Sequence, residues 1–245
     1  MSGREIDDVL LFRDDISPFL VHLTKNTENS AKTNLENILN SKELVYENNK
    51  ISDARFGHPF KSINEFGLEY FSAVCFTETP INEIHNLLEI SGRAVDLQPY
   101  GLVFLKNNLQ EKGVSPVFYL NNMLDDKNDL VLALCSLINS NPLEAKQILP
   151  YISVFGQHLK PNGATHTPGT INFMWEREWR YASISNKFQF DLTDVFIGLC
   201  PDDEINHFET LFPDLMFIDP RRNRKWYAGK LIAARKRSDL KNSVV

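Results

Sequence analysis

Phe173-Met174-Trp175-Glu176-Arg177-Glu178-Trp179-Arg180-Tyr181 is the run whose reading decides the fold. Four charged side chains sit among four aromatics and a methionine. Read as a strand, its side chains alternate between two faces. Met174, Glu176, Glu178 and Arg180 then share one face. Phe173, Trp175, Arg177, Trp179 and Tyr181 share the other, and this aromatic face is expected against the core. The charged face carries two carboxylates about 7 Å apart, followed by a guanidinium. Read as a helix, the two glutamates would lie on different faces. The aromatic content selects the strand. Two carboxylates on one strand face form either a catalytic pair, one binding a hydroxyl or a developing cation and one orienting a nucleophile, or surface ion pairs with Arg180.

Short apolar runs on either side of this stretch give the rest of the framework. Pro18–Thr24, Ser72–Thr77, Gly101–Leu105, Pro116–Leu120, Val195–Leu199 and Leu215–Ile218 read as strands. Tyr151–Leu159 reads as a strand or an irregular crossing. Leu35, Ile38 and Leu39 have helical spacing, in a helix capped at Thr33 or Asn34 and running to about Lys42. Further helices are expected over 81–88, 129–139, 142–149 and from Asp202 or Asp203 to Phe212, with a shorter one ending near Lys112. The polar stretch 47–70 and the Pro/Gly/Thr-rich stretch 160–170 read as loops. Short strands mixed with scattered helices make the chain α+β. Its organisation is expected to be a lead-in over 1–17, one α+β domain over 18–220, and a basic C-terminal tail over 221–245.

The chain has 245 residues, 42% of them hydrophobic and 24% charged, the composition of an ordinary globular protein. No apolar run reaches the ~20 residues that span a bilayer. The acidic first fifteen residues lack the apolar core of a signal sequence. Cys75, Cys135 and Cys200 lie far apart in apolar runs, which points to buried free thiols and a cytoplasmic location. The net charge of -6 conceals a segregation. Residues 221–241 carry nine Lys or Arg and one Asp, whereas the other residues carry 17 basic and 31 acidic side chains. That basic end is either a nucleic-acid or other anion contact, or a solvated tail.

His22, on a buried strand, can hold a hydrogen bond at a fixed place. Thr77, ending another buried strand, offers a hydroxyl to a ligand or to the backbone. The six histidines show no metal-binding i, i+4 pair and no HExxH, so no metal is expected. The chain also lacks GxxxxGK[ST], GxGxxG and GxSxG, which removes support for P-loop nucleotide hydrolysis and serine hydrolysis.

In order, these pieces resemble a known family. His22-Leu23-Thr24 followed by Leu35–Leu44 resembles the opening of ADP-ribosyltransferase-type proteins, where an HxT strand precedes an LxxIL helix. The DNA-targeting transferase DarT and the RNA 2'-phosphotransferases share that opening. Val74–Ile81, His85, Tyr100-Gly101-Leu102 with Lys106, Gly113 with Pro116–Tyr119, and Glu176–Tyr181 together resemble the AbiGi family of bacterial abortive infection. The likeness spans about residues 19–182.

The resemblance implies an ADP-ribosyltransferase-like split mixed β-sheet with surrounding helices, and NAD as substrate. His22 would hold the nicotinamide ribose, with Thr24 helping to hold the ribose or the strand turn. Thr77 would support the pocket. Glu178 would bind the ribose 2'-OH and stabilise an oxocarbenium-like transition state, and Glu176 would orient the acceptor. Arg180 joins the cofactor-binding set, and Tyr70 is taken as a stacking residue alongside Tyr46, Phe71 and Tyr100. These roles require His22, Thr77 and Glu178 to line one cleft from adjacent strands. The implied function is a phage-defence toxin or effector that transfers ADP-ribose to a protein or nucleic acid, or hydrolyses NAD. The partners implied are a cognate toxin, antitoxin or phage protein, and nucleic acid through the basic tail. A non-catalytic antitoxin or phage-sensing module is the alternative. A nuclease using His22, Glu178 and the tail is a third.

Overall fold

The computed structural model describes residues 16–46, 73–90, 96–122, 129–159, 168–171, 174–183 and 185–238. They form an α+β protein with a largely antiparallel sheet and several helices. The chain divides into two compact units. The first comprises Met1–Glu43, Phe76–Gly113 and Gln189–Val245, and the second Leu44–Cys75 and Val114–Phe188.

The first unit opens with β1 (Phe19–Lys25), whose Phe19, Leu20 and Val21 are all buried. Consecutive buried residues mean that both faces of the strand are covered. Helix α1 (Ala31–Ser41) follows, with Ala31, Leu35 and Leu39 as its buried stripe. Its cap is Ser30, whose hydroxyl accepts the Thr33 N–H at 3.1 Å. The cap expected at Thr33 or Asn34 comes earlier because the Asn34 side chain is engaged elsewhere, its amide reaching back to the Lys25 carbonyl at 2.9 Å. Lys42, in the left-handed region at φ 54°, ends the helix. The short strand β2 (Glu43–Val45) leads to the second unit.

The chain re-enters the first unit within β3 (Val74–Thr77). Alternation on this strand buries Val74 and Phe76 and turns Cys75 outward, so Cys75 is exposed where a buried thiol was expected; Cys200 is buried. Pro80 leads into a 3-10 turn, Ile81–Glu83, and helix α2 (Ile84–Leu88). Strand β4 (Leu97–Leu105) runs antiparallel to β1, from Phe19↔Leu105 to Lys25↔Leu97. A Cβ on Gly101 would lie 2.3 Å from the His22 carbonyl oxygen, so this close approach of β4 to β1 requires glycine. Helix α3 (Lys106–Glu111) follows directly, and Gly113, at φ 90°, makes the turn out.

The second unit holds β5 (Ser115–Pro116), β6 (Phe118–Asn122), α4 (Asp129–Ser140), α5 (Pro142–Ile148), β7 (Ile152–Leu159), β8 (Pro168–Ile171), β9 (Glu178–Tyr181) and the start of β10 (Lys187–Gln189). β6 and β7 pair in parallel, a connection that needs a long crossover, and α4 and α5 lie in that crossover. β8 pairs antiparallel with β7, so part of the expected loop 160–170 is strand. The deciding run does not form one strand. Met174–Glu176 is a 3-10 turn, Arg177 takes φ 46°, and the strand begins only at Glu178. Pairing on the β5 side does not reach the earlier residues of the run. The partner strand β5 is two residues long, Ser115↔Arg180 and Pro116↔Trp179, and it ends as the Val117 N–H meets the Glu178 carbonyl at 3.0 Å. Met174 and Trp175 are 45% and 41% exposed, so no aromatic core face extends that far.

Back in the first unit, β11 (Val195–Leu199) pairs antiparallel with β4, and helix α6 (Ile205–Leu211) leads to β12 (Phe217–Ile218), parallel to β11. The order within this unit is β12-β11-β4-β1-β3. Phe104, Phe196, Phe208 and Phe217 are fully buried in its core. Much of the basic C-terminal segment is folded. Arg224–Tyr227 is a 3-10 turn and Ala228–Arg237 is helix α7, with Tyr227, Leu231 and Ala234 buried. Among the described residues, no helix is long and apolar enough to cross a membrane.

Candidate functional site

Glu178 is the centre of a dense polar arrangement among the described residues of the second unit. It is the first residue of β9 and only 9% exposed. Its backbone N–H donates to the Tyr119 hydroxyl at 2.8 Å. Strand alternation places Arg180 on its face, two residues on. The Arg180 guanidinium grips both carboxylate oxygens, Nε to Oε1 at 3.0 Å and Nη2 to Oε2 at 2.7 Å. Nη1 donates to the Pro150 carbonyl at 2.7 Å and the Ile152 carbonyl at 3.0 Å. Four of the five guanidinium N–H groups are thus committed to the protein. The fork geometry holds the Glu178 carboxylate in one orientation.

The electrostatics follow from burial and this charge pair. Burial alone would weaken the charged form of Arg180, but the groups around it, the Glu178 carboxylate first among them, together raise the guanidinium pKa. Burial pushes the Tyr119 phenol up to about 12; the Glu178 N–H opposes this, and the Glu178 and Glu176 charges add to the rise. Glu176 therefore acts on the same phenol. It does so from the 3-10 turn, and the two carboxylates do not share a strand face as expected.

His22, Thr24 and Thr77 belong to the first unit. His22 is half-buried on β1, opposite Leu102, with its ring edge-on to Phe76 at 5.9 Å. Thr77 sits on the adjacent strand, but its register partner is Val21. Paired residues share a face and neighbours along a strand do not, so His22 and Thr77 face opposite sides of the sheet. The Thr77 hydroxyl accepts the Thr79 N–H at 3.1 Å and pairs with the Thr79 hydroxyl at 2.7 Å. The buried Thr24 hydroxyl lies 3.2 Å from the Ala31 carbonyl and 3.1 Å from the Tyr100 carbonyl, which makes it a tie between β1, α1 and β4. Both hydroxyls already serve the backbone.

Tyr70 and Phe71, two of the stacking candidates, lie outside the described residues. Tyr46 has its hydroxyl tied to both the N–H and the carbonyl of Ser183. Tyr100 has its ring 6.2 Å from that of Phe208, and burial, followed by the Glu204 charge, raises its pKa. The sequence singled out Tyr119 only as the end of the Pro116–Tyr119 piece and gave it no role, because a partner 59 residues away leaves no local signal. Nor did it reveal the Lys106–Glu78 ion pair of the first unit, 2.8 Å long and mostly buried. Among the described residues, no group of three or more His, Cys, Asp or Glu is placed to hold a metal ion.

A scan against protein-family models, a search of curated proteins and a search of solved structures each found no match to this chain.

Proposed function

We propose that this chain is an NAD-using, ADP-ribosyltransferase-like effector of a phage-defence (abortive infection) system. It transfers ADP-ribose from NAD to a protein or nucleic acid, or hydrolyses NAD. The observation that supports this most is the Glu178 carboxylate, buried at a strand start and oriented through both oxygens by Arg180. Breaking the bond between nicotinamide and ribose leaves the electron pair on nicotinamide and a cationic sugar. A carboxylate fixed in advance lowers the barrier to such a cation without reorganising. A carboxylate oxygen accepts more than one hydrogen bond, so the bonds to Arg180 are compatible with a ribose hydroxyl at the same group. Thr24 and Thr77 are assigned to the scaffold, since their hydroxyls serve the backbone.

Incubation of the folded chain with labelled NAD and a panel of protein, DNA and RNA acceptors tests it. Labelled acceptor or released nicotinamide is expected. Glu178→Gln is expected to lower turnover by at least about a hundredfold, the loss of about 3 kcal/mol of charge stabilisation, with the far-UV spectrum unchanged. No binding, transfer or hydrolysis overturns the proposal.

The Glu178–Arg180 pair also favours a second reading. A carboxylate neutralised by a guanidinium that is itself anchored on two carbonyls is the arrangement of a structural salt bridge. In that case the chain is a non-catalytic antitoxin or phage-sensing module. Glu178→Gln then changes stability and leaves any NAD turnover where it was.

A further inference from the structure

The basic segment carries a surface that the NAD chemistry does not use. Residues 221–226, Arg-Arg-Asn-Arg-Lys-Trp, are all exposed, and Trp226 is 73% exposed. An aromatic this large, left in water within a run of cations, is an unusual surface feature. The Arg222 guanidinium lies 5.4 Å from the Trp226 ring centroid, a cation–π contact that orients the ring.

The turn is built before any ligand arrives. The buried Asp219 carboxylate accepts the Arg221 N–H at 2.9 Å and the Arg221 guanidinium at 2.9 and 2.7 Å. The Arg222 N–H donates to the Asp219 carbonyl, and Asn223 caps the following turn by accepting the Lys225 N–H at 3.0 Å. Tyr227 is buried, and its hydroxyl donates to Asp202, which also pairs with Arg222 at 3.0 Å. The carboxylates of Asp219 and Asp202 are thus occupied by Arg221, Arg222 and Tyr227. Arg224 and Lys225 form no ion pair with another described residue. The surface continues along α7. Lys225, Gly229, Ile232 and Lys236 follow at i, i+4, i+7 and i+11, one helical face. Ile232 is 56% exposed, Lys236 is exposed, and a Cβ on Gly229 would meet nothing within 4 Å, so that face is open.

We propose that the Arg221–Trp226 turn and this face of α7 bind single-stranded nucleic acid. Charge complementarity selects a polyanion, because the cations concentrate here while the rest of the chain is acidic. Trp226 selects an unpaired base, since a ring offers a stacking platform only to bases outside a duplex. One ring face is held by Arg222 and the ring's high exposure leaves the other for a base. A lipid surface fits less well: one Trp and one Ile among cations do not make the broad apolar face of an interfacial helix. This inference adds the macromolecular partner to the proposed effector, but the surface stands whether or not the chain uses NAD.

The test is fluorescence anisotropy of the full chain with a labelled oligonucleotide of about 20 nucleotides, oligo(dT) or oligo(rU), with no NAD present. Affinity is expected to fall between about 50 and about 200 mM salt, with a log–log slope of about -2 for three phosphate contacts. Trp226→Ala, at an exposed position, is expected to weaken binding about tenfold with the fold intact by circular dichroism. The double reversal R224E/K225E is expected to remove most of the salt dependence. Absence of binding at low salt, affinity unchanged by both variants, tighter binding to duplex of the same length, or binding to anionic phospholipid vesicles without oligonucleotide binding each overturns the inference. Because NAD is absent, failure here leaves the NAD proposal standing. Failure of the NAD assay likewise leaves this surface standing.

Discussion

At the scale of single residues, the Glu178–Arg180 pair dominates. Both side chains are at least nine-tenths buried, so each relies on the other to offset its desolvation. Arg180→Met removes the cation and leaves a buried carboxylate, and its expected cost is about 3–5 kcal/mol of unfolding free energy. The double variant E178L/R180M is expected to recover part of that loss, because no charge then stays buried. It does not recover all of it, since the Pro150 and Ile152 carbonyls lose their donor. Urea unfolding of the wild type, both single variants and the double variant gives the coupling. Tyr119 adds a pH dependence. Its phenol is pushed up to about 12 in the folded chain, chiefly by burial, against an ordinary value of about 10. The folded state thus keeps a proton that the unfolded state has lost. The contribution is present below about pH 10 and is lost as pH rises towards about 12. Unfolding followed over that window is expected to show a shallower fall in stability for Tyr119→Phe than for the wild type.

At the scale of elements, the junction before β9 decides how Glu178 is presented. Arg177 adopts φ 46°, a backbone region that costs a residue with a Cβ roughly 1–2 kcal/mol. Such positions persist where the surroundings over-determine them, and they gather at functional sites. Arg177→Gly is therefore expected to be more stable than Arg177→Ala by about 1 kcal/mol, the reverse of the order inside a helix. Thermal unfolding of the two variants under identical conditions checks it. Equal stability, or Ala above Gly, removes the left-handed assignment. The comparison uses two variants so that whatever the arginine side chain contributes cancels.

At the scale of the whole molecule, the basic C-terminal segment is part of the first unit. Leu231 and Ala234 are buried. Arg237 donates to the carbonyls of Val195 and Phe196 at 2.7 and 2.8 Å, beside the irregular register of β11 against β4. Ending the chain at Arg222 uncovers this surface and leaves both carbonyls without their donor. The shortened chain is expected to unfold at markedly lower urea concentration and to be cut faster by protease. Leu231→Ala, a milder change, is expected to cost about 2–4 kcal/mol. A shortened chain as stable as the intact one overturns this role for α7.

What the sequence determined by itself was local. Apolar runs bounded by Gly and Pro marked β1, β3, β4 and β11, and helical spacing marked α1, because those patterns act over a few residues and burial then follows the period. Alternation also foretold that Glu178 and Arg180 share a face. Tertiary structure alone decided the rest. The pairing with the two-residue β5 reached back no further than Glu178, and Glu176 stayed off the strand. Register set Thr77 opposite Val21 and so turned it from His22. A hydroxyl 59 residues away met the Glu178 N–H. A strand's length, register and hydrogen-bond partners are properties of the pair, and one strand's sequence encodes only its own half.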